Sequence, residues 1–252
     1  MKRFIESALV VVSLLVLWHF AWESGRWTEY ILPGPLRVWN AFWVMLRNGV
    51  ILQHPLPSLA RVFSGFSIAF ILAFALGTLA GVYPRSASFY SHIVEFLRHV
   101  PPISLIPLLI LWFGIGERSK IILIVLASFF PMFLSIQKGF ASCDVKLLEV
   151  GSVLAFSRWQ RFYRIMLPSA VPDILVGMRV GLGFSWRAII AAEMIAAASG
   201  LGYLVLHAQQ MSRSDRVIVG IFVIGIVGCL CNWLFTFAMK RLPWGGMDNS
   251  WS

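Results

Sequence analysis

The sequence predicts an all-α integral membrane protein with six transmembrane helices. Of its 252 residues, 59% are hydrophobic and only 13% are charged, which lies outside the usual range of soluble domains. Six apolar segments approach the ~20 residues that a helix needs to cross a bilayer. One further segment, residues 149–168, is amphipathic and too polar to cross.

The six candidate spans are roughly 4–22, 60–83, 100–116, 120–141, 173–198 and 217–239, and a polar approach from Ser91 extends the third backward. Prolines interrupt the third span after its polar approach from Ser91, a pattern that membrane helices tolerate where they are buried or line a cavity. Lys2 and Arg3 precede the first apolar run as in a signal peptide. No small-x-small cleavage site follows that run, so we expect a retained helix.

These spans predict a single transmembrane domain over 1–252, with a cytoplasmic loop at 142–172. An even number of spans places both termini on the same side of the membrane. Lysine and arginine are slightly more numerous in the segments that this topology places inside, which favours cytoplasmic termini without deciding the orientation.

Small residues recur at every fourth position of the second span: Gly65, Ala69, Ala73, Gly77 and Gly81. Such a stripe lets two helix backbones approach closely in lipid. Two interpretations remain open, namely packing within one subunit and packing at a subunit interface or along a transport path. Gly177, Gly181 and Ser185 repeat the pattern in the fifth span.

The polar segment 149–168 predicts two short helices joined by a bend. Asp144 can cap the first helix, while Ser157 and Gln160 have the spacing of a capping box for the second. Pro168 predicts that the second helix stops near Leu167. Trp159, Phe162, Tyr163 and Met166 recur on one face of that helix, and Arg158, Arg161 and Arg164 form a separate basic ridge.

Charged residues at membrane depth usually face a bundle interior or a water-filled path. Four qualify: Arg98, Arg179, Arg187 and Glu193. We expect Arg98, Arg187 and Glu193 to lie closest to a translocation path, with Arg179 nearer to a structural or cytoplasmic contact. The alternative is an interhelical ion pair that only holds the bundle together.

Several functions have no motif in this chain. It has no G-x-x-x-x-G-K-[ST] phosphate loop, so we expect any ATP to be used by a partner protein. The five histidines and three cysteines lack metal-site spacing, and no catalytic serine motif occurs. We therefore expect no catalytic residue, metal or cofactor in this chain. The net charge of +10 is more simply explained by lipid headgroups than by nucleic acid.

The spacing from Glu149 to Ile165 and Leu167-Pro168 resembles the cytoplasmic "EAA" loop of ABC importer permeases, whose pattern is E-A-A, then G, then I-x-L-P. Val150 and Gly151 replace the two alanines, and Ala155 replaces the glycine. Further stretches are similar to the nitrate, sulfonate, taurine and bicarbonate branch of the binding-protein-dependent family: residues 31–35, 100–120, 167–183 and 191–204.

The resemblance implies a type I ABC importer permease fold with cytoplasmic coupling helices, in a bacterial inner membrane. It implies a homodimer that works with two ABC ATPase subunits, which bind ATP and Mg²⁺, and with a periplasmic substrate-binding protein. The residues that it implies for coupling to the ATPase are Glu149, Gly151, Ala155, Trp159, Phe162, Tyr163, Ile165, Leu167 and Pro168. The solute would be a small anion such as a sulfonate or nitrate.

Two alternatives follow from the residues themselves. The 149–168 segment could rest on lipid headgroups through its arginine ridge rather than dock to a protein. The whole chain could also be a secondary transporter or channel that acts without an ATPase, although it shows no inverted repeat.

Overall fold

A computed structural model describes residues 2–83 and 87–241. The remaining positions of the predicted 1–252 domain, Met1, 84–86 and 242–252, lie outside the described residues. They include both ends of the chain, whose predicted position is cytoplasmic. Within the described ranges the chain is helical and contains no β-strand.

The helices are α1 (Lys2–Glu23), α2 (Pro35–Arg47), α3 (Val50–Gln53), α4 (Pro55–Val82), α5 (Ala87–His99), α6 (Ile106–Phe113), α7 (Glu117–Ala141), α8 (Val145–Val153), α9 (Arg158–Arg161), α10 (Leu167–Ala196), α11 (Leu201–Gln210) and α12 (Ser214–Lys240). A 3₁₀ turn (Pro102–Leu105) precedes α6, and a π-helical turn (Phe162–Met166) joins α9 to α10.

Each predicted span coincides with helix. Within the described part of the chain, four helical stretches are long and apolar enough to cross a membrane alone: Val50–Val82, Glu117–Ala141, Arg158–Ala196 and Ser214–Lys240. The third predicted span is two helical pieces, His92–His99 and Pro102–Phe113, bent by 86° at the prolines. The first is α1, whose described apolar part, Leu9–Glu23, is shorter.

The predicted helix end at Leu167-Pro168 is wrong, because the chain stays helical from Arg158 to Ala196. Leu167 N–H donates to the carbonyl of Phe162, five residues back, which widens the turn. Pro168 follows this widened turn directly and cannot donate the backbone hydrogen bond that a continuing helix would otherwise make there. The amphipathic segment is therefore continuous with the long helix that follows it.

The chain divides into two compact units, Met1–Ser58 with Glu193–Val227, and Leu59–Ala192 with Gly228–Ser252. The single transmembrane domain stays a prediction. In the second unit α7 is the central helix. Its buried residues Ile124, Met132, Ile136 and Phe140 belong to a core that also contains α4 and α10 residues.

The small-residue stripes serve this core. A Cβ added at Gly65, Gly77 or Gly81 of α4 would lie 2.6 to 3.0 Å from an α7 side chain. A Cβ at Gly177 or Gly181 of α10 would lie 2.6 Å from Ser135 or Met132 on α7. Of the two interpretations of these stripes, the structure supports packing within one subunit.

In the first unit, α1 and α2 are joined by short contacts. Trp18 Nε1 donates to the carbonyl oxygen of Pro33 at 3.1 Å. A Cβ at Gly34 would lie 2.8 Å from the Trp22 ring, so the start of α2 lies directly against α1. Helices α11 and α12 also pack closely. A Cβ added at Gly220 of α12 would lie 2.7 Å from the side chain of Val205 on α11.

Candidate functional site

The first helix of the polar segment, α8, is capped at both ends. The Asp144 carboxylate accepts a hydrogen bond from Lys146 N at 2.9 Å, as its sequence position predicts. At the other end, Phe156 N donates to Gly151 O at 2.9 Å and Ala155 N donates to Ser152 O at 3.0 Å. This pair of bonds is a Schellman motif, which reverses the chain after α8.

The Schellman motif places Ala155 in the left-handed region, with φ of +52°. This is the conformation that glycine adopts without cost and that an L-residue with a Cβ adopts at ~1–2 kcal/mol. The bend that the family pattern builds with glycine therefore forms here with alanine under strain.

The start of α9 has the predicted capping box. Gln160 N donates to Ser157 Oγ at 3.3 Å, and Ser157 N donates to the Gln160 side chain at 2.8 Å. Arg161 Nε also donates to the carbonyl of Phe156 at 3.2 Å. The turn between α8 and α9 is thus held by its own side chains and presents both helices in a fixed orientation.

One face of this element packs inward. The ring of Phe162 stacks on Phe140 of α7, with centroids 5.7 Å apart and planes 8° from parallel. Gly151 is buried, and a Cβ there would lie 2.6 Å from Ile165 Cδ1. Of the predicted coupling residues, Gly151, Phe162 and Ile165 therefore hold the element to its own helices, as do the half-buried Leu167 and Pro168.

The opposite face is apolar and exposed. We call it the coupling surface; its residues, with their exposed fractions, are Val150 (54%), Val153 (87%), Leu154 (58%), Trp159 (71%) and Tyr163 (59%). The Trp159 and Tyr163 rings stack on each other at 5.7 Å, and Glu149 is exposed on α8. Several exposed apolar side chains on a rigid turn are typical of a protein or membrane contact.

The predicted path residues Arg98 and Arg187 make local contacts. Arg98, at the end of α5, forms an ion pair with Glu95 one turn earlier. Arg187 donates to Gly183 O at 3.1 Å, and its guanidinium lies 4.8 Å from the centre of the Phe184 ring. Both side chains are exposed. Arg179, by contrast, donates to Asn232 of α12 at 3.4 Å, which fits its expected structural role.

Glu193 is completely buried. Its carboxylate oxygens lie 2.8 Å from Ser58 Oγ, and one of them accepts a hydrogen bond from Gly202 N at 3.0 Å. Ser58 Oγ in turn accepts from Leu201 N at 2.9 Å. The turn between α10 and α11 therefore wraps around a buried carboxylate, which is expensive in a membrane unless it is hydrogen-bonded in this way.

The same turn requires a glycine. Gly200 has φ of +113°, and a Cβ at this position would lie 2.2 Å from the carboxyl carbon of Glu193. Its N–H faces Nδ1 of His54 at 3.3 Å. We call residues 193–202, with Ser58 and His54, the Glu193 turn.

The comparison with known families decides the identity of the chain. A family model described as "Binding-protein-dependent transport system inner membrane component" matches residues 70–243. The chain belongs to this family. It is a membrane permease, and the family's description makes a separate binding protein part of its transport system.

Named relatives of this permease share about a third of its residues over most of its length. It is 33% identical to the putative aliphatic sulfonates transport permease protein SsuC of Bacillus subtilis, over 96% of this chain and 89% of that protein. It is 38% identical to the taurine transport system permease protein TauC of Escherichia coli, over 92% and 87%. The nitrate import permease protein NrtB of Synechocystis is 31% identical, over 93% and 88%.

Solved structures show the fold of this permease. An amino acid ABC transporter superposes with a TM-score of 0.66 at 15% identity, over 80% of this chain and 98% of that chain. The MetNI methionine ABC transporter superposes with a TM-score of 0.57 at 15% identity, over 77% and 96%. The predicted type I ABC importer permease fold is confirmed.

Sequence reasoning missed one charged cluster of this permease. Arg61 of α4 binds Glu117 through two nitrogens, at 2.6 and 2.8 Å, and Lys120 reaches the same carboxylate at 2.8 Å. Arg61 and Lys120 are buried, and each lies at the very start of a predicted span, 60–83 and 120–141, where neither was counted among the charges at membrane depth. The start of α4 at Pro55 is the signal that could have found Arg61, because it puts this residue two turns inside the helix.

Proposed function

We propose that this permease forms the path for a small anion, such as a sulfonate or a nitrate-like ion, in an ATP-driven importer. The named relatives serve aliphatic sulfonates, taurine and nitrate, all small and bearing an oxyanion. The observation that carries the ATP-driven part of the proposal is the coupling surface, an exposed apolar patch built on a rigid turn at the end of two long membrane helices.

The coupling surface is suited to a cleft on a protein. Val153 and Trp159 project their apolar side chains almost fully into solvent, and Glu149 adds one exposed charge on α8. The arginines that would bind lipid headgroups do not all point outward: Arg161 is half-buried and donates to the carbonyl of Phe156. Arg164 lies over the Phe156 ring at 5.3 Å. Docking to a protein therefore accounts for the exposed apolar residues of the coupling surface better than contact with lipid headgroups does.

The mechanism follows from the continuity of this element with α10. Trp159 and Tyr163 of the coupling surface lie on one helical stretch with the π-helical turn and α10, from Arg158 to Ala196. Force applied by a closing ATPase at Trp159 would act directly on a membrane-spanning helix. The Phe162 stack on Phe140 would transmit the same motion to α7. Rigid-body movement of these helices would then expose the path to each side in turn.

The proposed assembly contains two copies of this permease, two ABC ATPase subunits that bind and hydrolyse ATP with Mg²⁺, and a periplasmic binding protein. The permease itself would carry out no catalysis, and both of its termini would be cytoplasmic. The small-residue stripes give no support to the homodimer, because they pack within one chain, so the dimer rests on the family alone.

Among the charged candidates for the path, Arg98 and Arg187 have the better geometry. Their guanidinium groups are exposed, and the polar and ring contacts that they make with described residues, to Glu95, Gly183 and Phe184, lie within their own helices. Such groups could attract an anion without breaking a long-range structural bond. Glu193 would act instead by fixing the α10 to α11 turn beside the path.

Docking is tested by replacing Trp159 or Val153, which are exposed, rather than Phe162, whose loss would also disturb the core. We expect Val153→Asp and Trp159→Ala to reduce ATPase copurification at least tenfold, and Glu149→Ala to weaken it less. Trp27→Ala is the matched control, since Trp27 is another exposed tryptophan, in the other unit. Equal ATPase recovery in all variants would overturn the docking proposal.

A further inference from the structure

A large apolar groove lies in the first unit, between α1, α2 and the beginning of α12. Its volume is about 1160 Å³. This exceeds the ~300–1,000 Å³ of ordinary small-molecule pockets. The lining is apolar for most of its length, from Leu15 and Trp18 on α1, through Trp39 and Val44 on α2, to Ile226 on α12.

The groove is held open by defined contacts. Trp18 is fixed by its hydrogen bond to Pro33 O, and Trp22 by its contact with Gly34. On the third wall, Ser214 Oγ donates to Tyr30 O, which ties the start of α12 to the loop between α1 and α2. The groove is therefore a feature of the packed unit and not a gap between loose segments.

One end of the groove is charged. Asp215 is buried and accepts two hydrogen bonds from Arg213, at 2.8 and 3.1 Å, and Arg37 lies 4.0 Å from the same carboxylate. Arg37 also pairs with Glu29. The hydrogen bonds to Asp215 raise the pKa of Arg213. These two arginines and two carboxylates balance each other.

Arg216 is the surplus cation. It lines the groove and is half-buried, and within residues 2–83 and 87–241 no carboxylate lies within 4.0 Å of its guanidinium. The charged end thus has a net charge of +1 that the described chain does not neutralise. A cation in this position attracts an anion.

The charged end lies at a membrane surface. The α12 helix has 27 residues, which is long enough to cross the bilayer, and Asp215 and Arg216 lie in its first turn. Trp22 and Trp39 line the groove, and tryptophan is enriched at the membrane–water interface.

We propose that the groove is a binding site for an anionic phospholipid, with an acyl chain along the apolar walls and the headgroup phosphate at Arg216. An apolar groove of this volume, with an unneutralised cation at the membrane surface, has the two chemistries of such a lipid. The proposal is independent of the transported solute. The bound lipid would fill the space between α1 and α2 and restrain their movement.

The site is tested on the purified full-length complex, by native mass spectrometry with added phosphatidylglycerol or phosphatidylcholine. We expect phosphatidylglycerol to be retained at least fivefold more strongly. Arg216→Gln should abolish this preference, and Val44→Trp, which fills the groove from an exposed position, should reduce retention of both lipids. Arg47→Gln is the matched control, because Arg47 is an exposed arginine on α2 that does not line the groove.

A phosphatidylglycerol with a photoactivatable acyl chain locates the bound lipid. We expect labelling at Leu15 of α1 and Ile226 of α12 to exceed labelling at Leu230 and Trp233. These two residues are exposed on α12 but lie outside the groove. Equal labelling at both places, equal retention of the two lipids, or crosslinks from Val44→Cys to a second copy of the chain would each overturn the proposal.

Discussion

The coupling surface and the Glu193 turn are both connections between helices, and they distribute polarity in opposite ways. The coupling surface exposes apolar side chains, with Val153 87% exposed, on a turn whose own polar groups are satisfied. The Glu193 turn buries a carboxylate completely and supplies its hydrogen bonds from Ser58 and Gly202. The first element leaves its apolar side chains uncovered, whereas the second satisfies its buried carboxylate within its own unit.

This difference separates residues that matter for folding from residues that matter for binding a partner. Substitutions in the Glu193 turn should affect folding, because an unpaired buried polar group costs stability wherever the protein is. Substitutions on the coupling surface should leave folding intact and affect only what binds there. The predictions that follow test this separation, beginning with the most damaging change.

The largest effect is expected from Gly200→Ala. The new Cβ would lie 2.2 Å from the Glu193 carboxyl carbon, at a φ of +113° that alanine avoids. We expect destabilisation by more than ~3 kcal/mol, seen as loss of monodisperse protein on size-exclusion chromatography.

The matched control is Gly225→Ala in α12, where a Cβ would meet nothing within 4 Å. Alanine is favoured over glycine in a helix by ~1 kcal/mol, so this variant should be at least as stable as wild type. A normal yield of Gly200→Ala would show that the turn is not packed as described.

Next in size is Glu193→Ala, which leaves Ser58 Oγ and Gly202 N–H without their acceptor. We expect a loss of ~2–4 kcal/mol in unfolding free energy, measured by thermal unfolding in detergent. Glu193→Gln keeps one acceptor oxygen and should lose less than half as much. If both variants unfold like wild type while transport fails, the carboxylate serves the path and not the fold.

A smaller and different effect is expected from Arg187→Met. Because Arg187 is exposed and makes its hydrogen bond and ring contact with Gly183 and Phe184 of its own helix, folded yield and basal ATPase activity should not change. Uptake of an anionic solute should fall several-fold if the guanidinium attracts it. Reduced yield would instead identify Arg187 as half of a structural ion pair with an orphaned partner.

The smallest expected effect is a gain, from Ala155→Gly at the bend of the coupling element. Glycine removes the cost of the left-handed conformation, so the variant should be more stable by up to ~1 kcal/mol. Ser212 ends α11 in the same way, with φ of +56°, and Ser212→Gly serves as a parallel case. Lower stability of both variants would contradict the assigned motif.

Sequence reasoning was most accurate where an interaction joins residues that are close in the chain. The caps at Asp144 and Ser157 were predictable because each side chain bonds a backbone group within three residues. The end at Pro168 was mispredicted, because a π-helical turn can place a proline inside a continuing helix. In the capped segment, amphipathicity also located the apolar residues without showing that Phe162 turns inward onto Phe140.

In the Glu193 turn, the pairing of residues far apart in the chain could not be predicted from the sequence. Glu193 stood out in the sequence as a charge at membrane depth, but its partner Ser58 lies 135 positions away. No local pattern links the two residues. The Arg61, Glu117 and Lys120 cluster was missed for the same reason, since it joins α4 to α7 across 56 positions.

The most direct test of the ATP-driven importer is solute uptake by proteoliposomes that contain this permease, with or without its ATPase, binding protein and ATP. Taurine, an alkanesulfonate and nitrate would be supplied in turn. The coupling surface predicts uptake of at least one of them only when all components are present, and loss of that uptake in Val153→Asp. Uptake by the permease alone, unchanged in Val153→Asp, would identify a secondary transporter or channel and contradict the account.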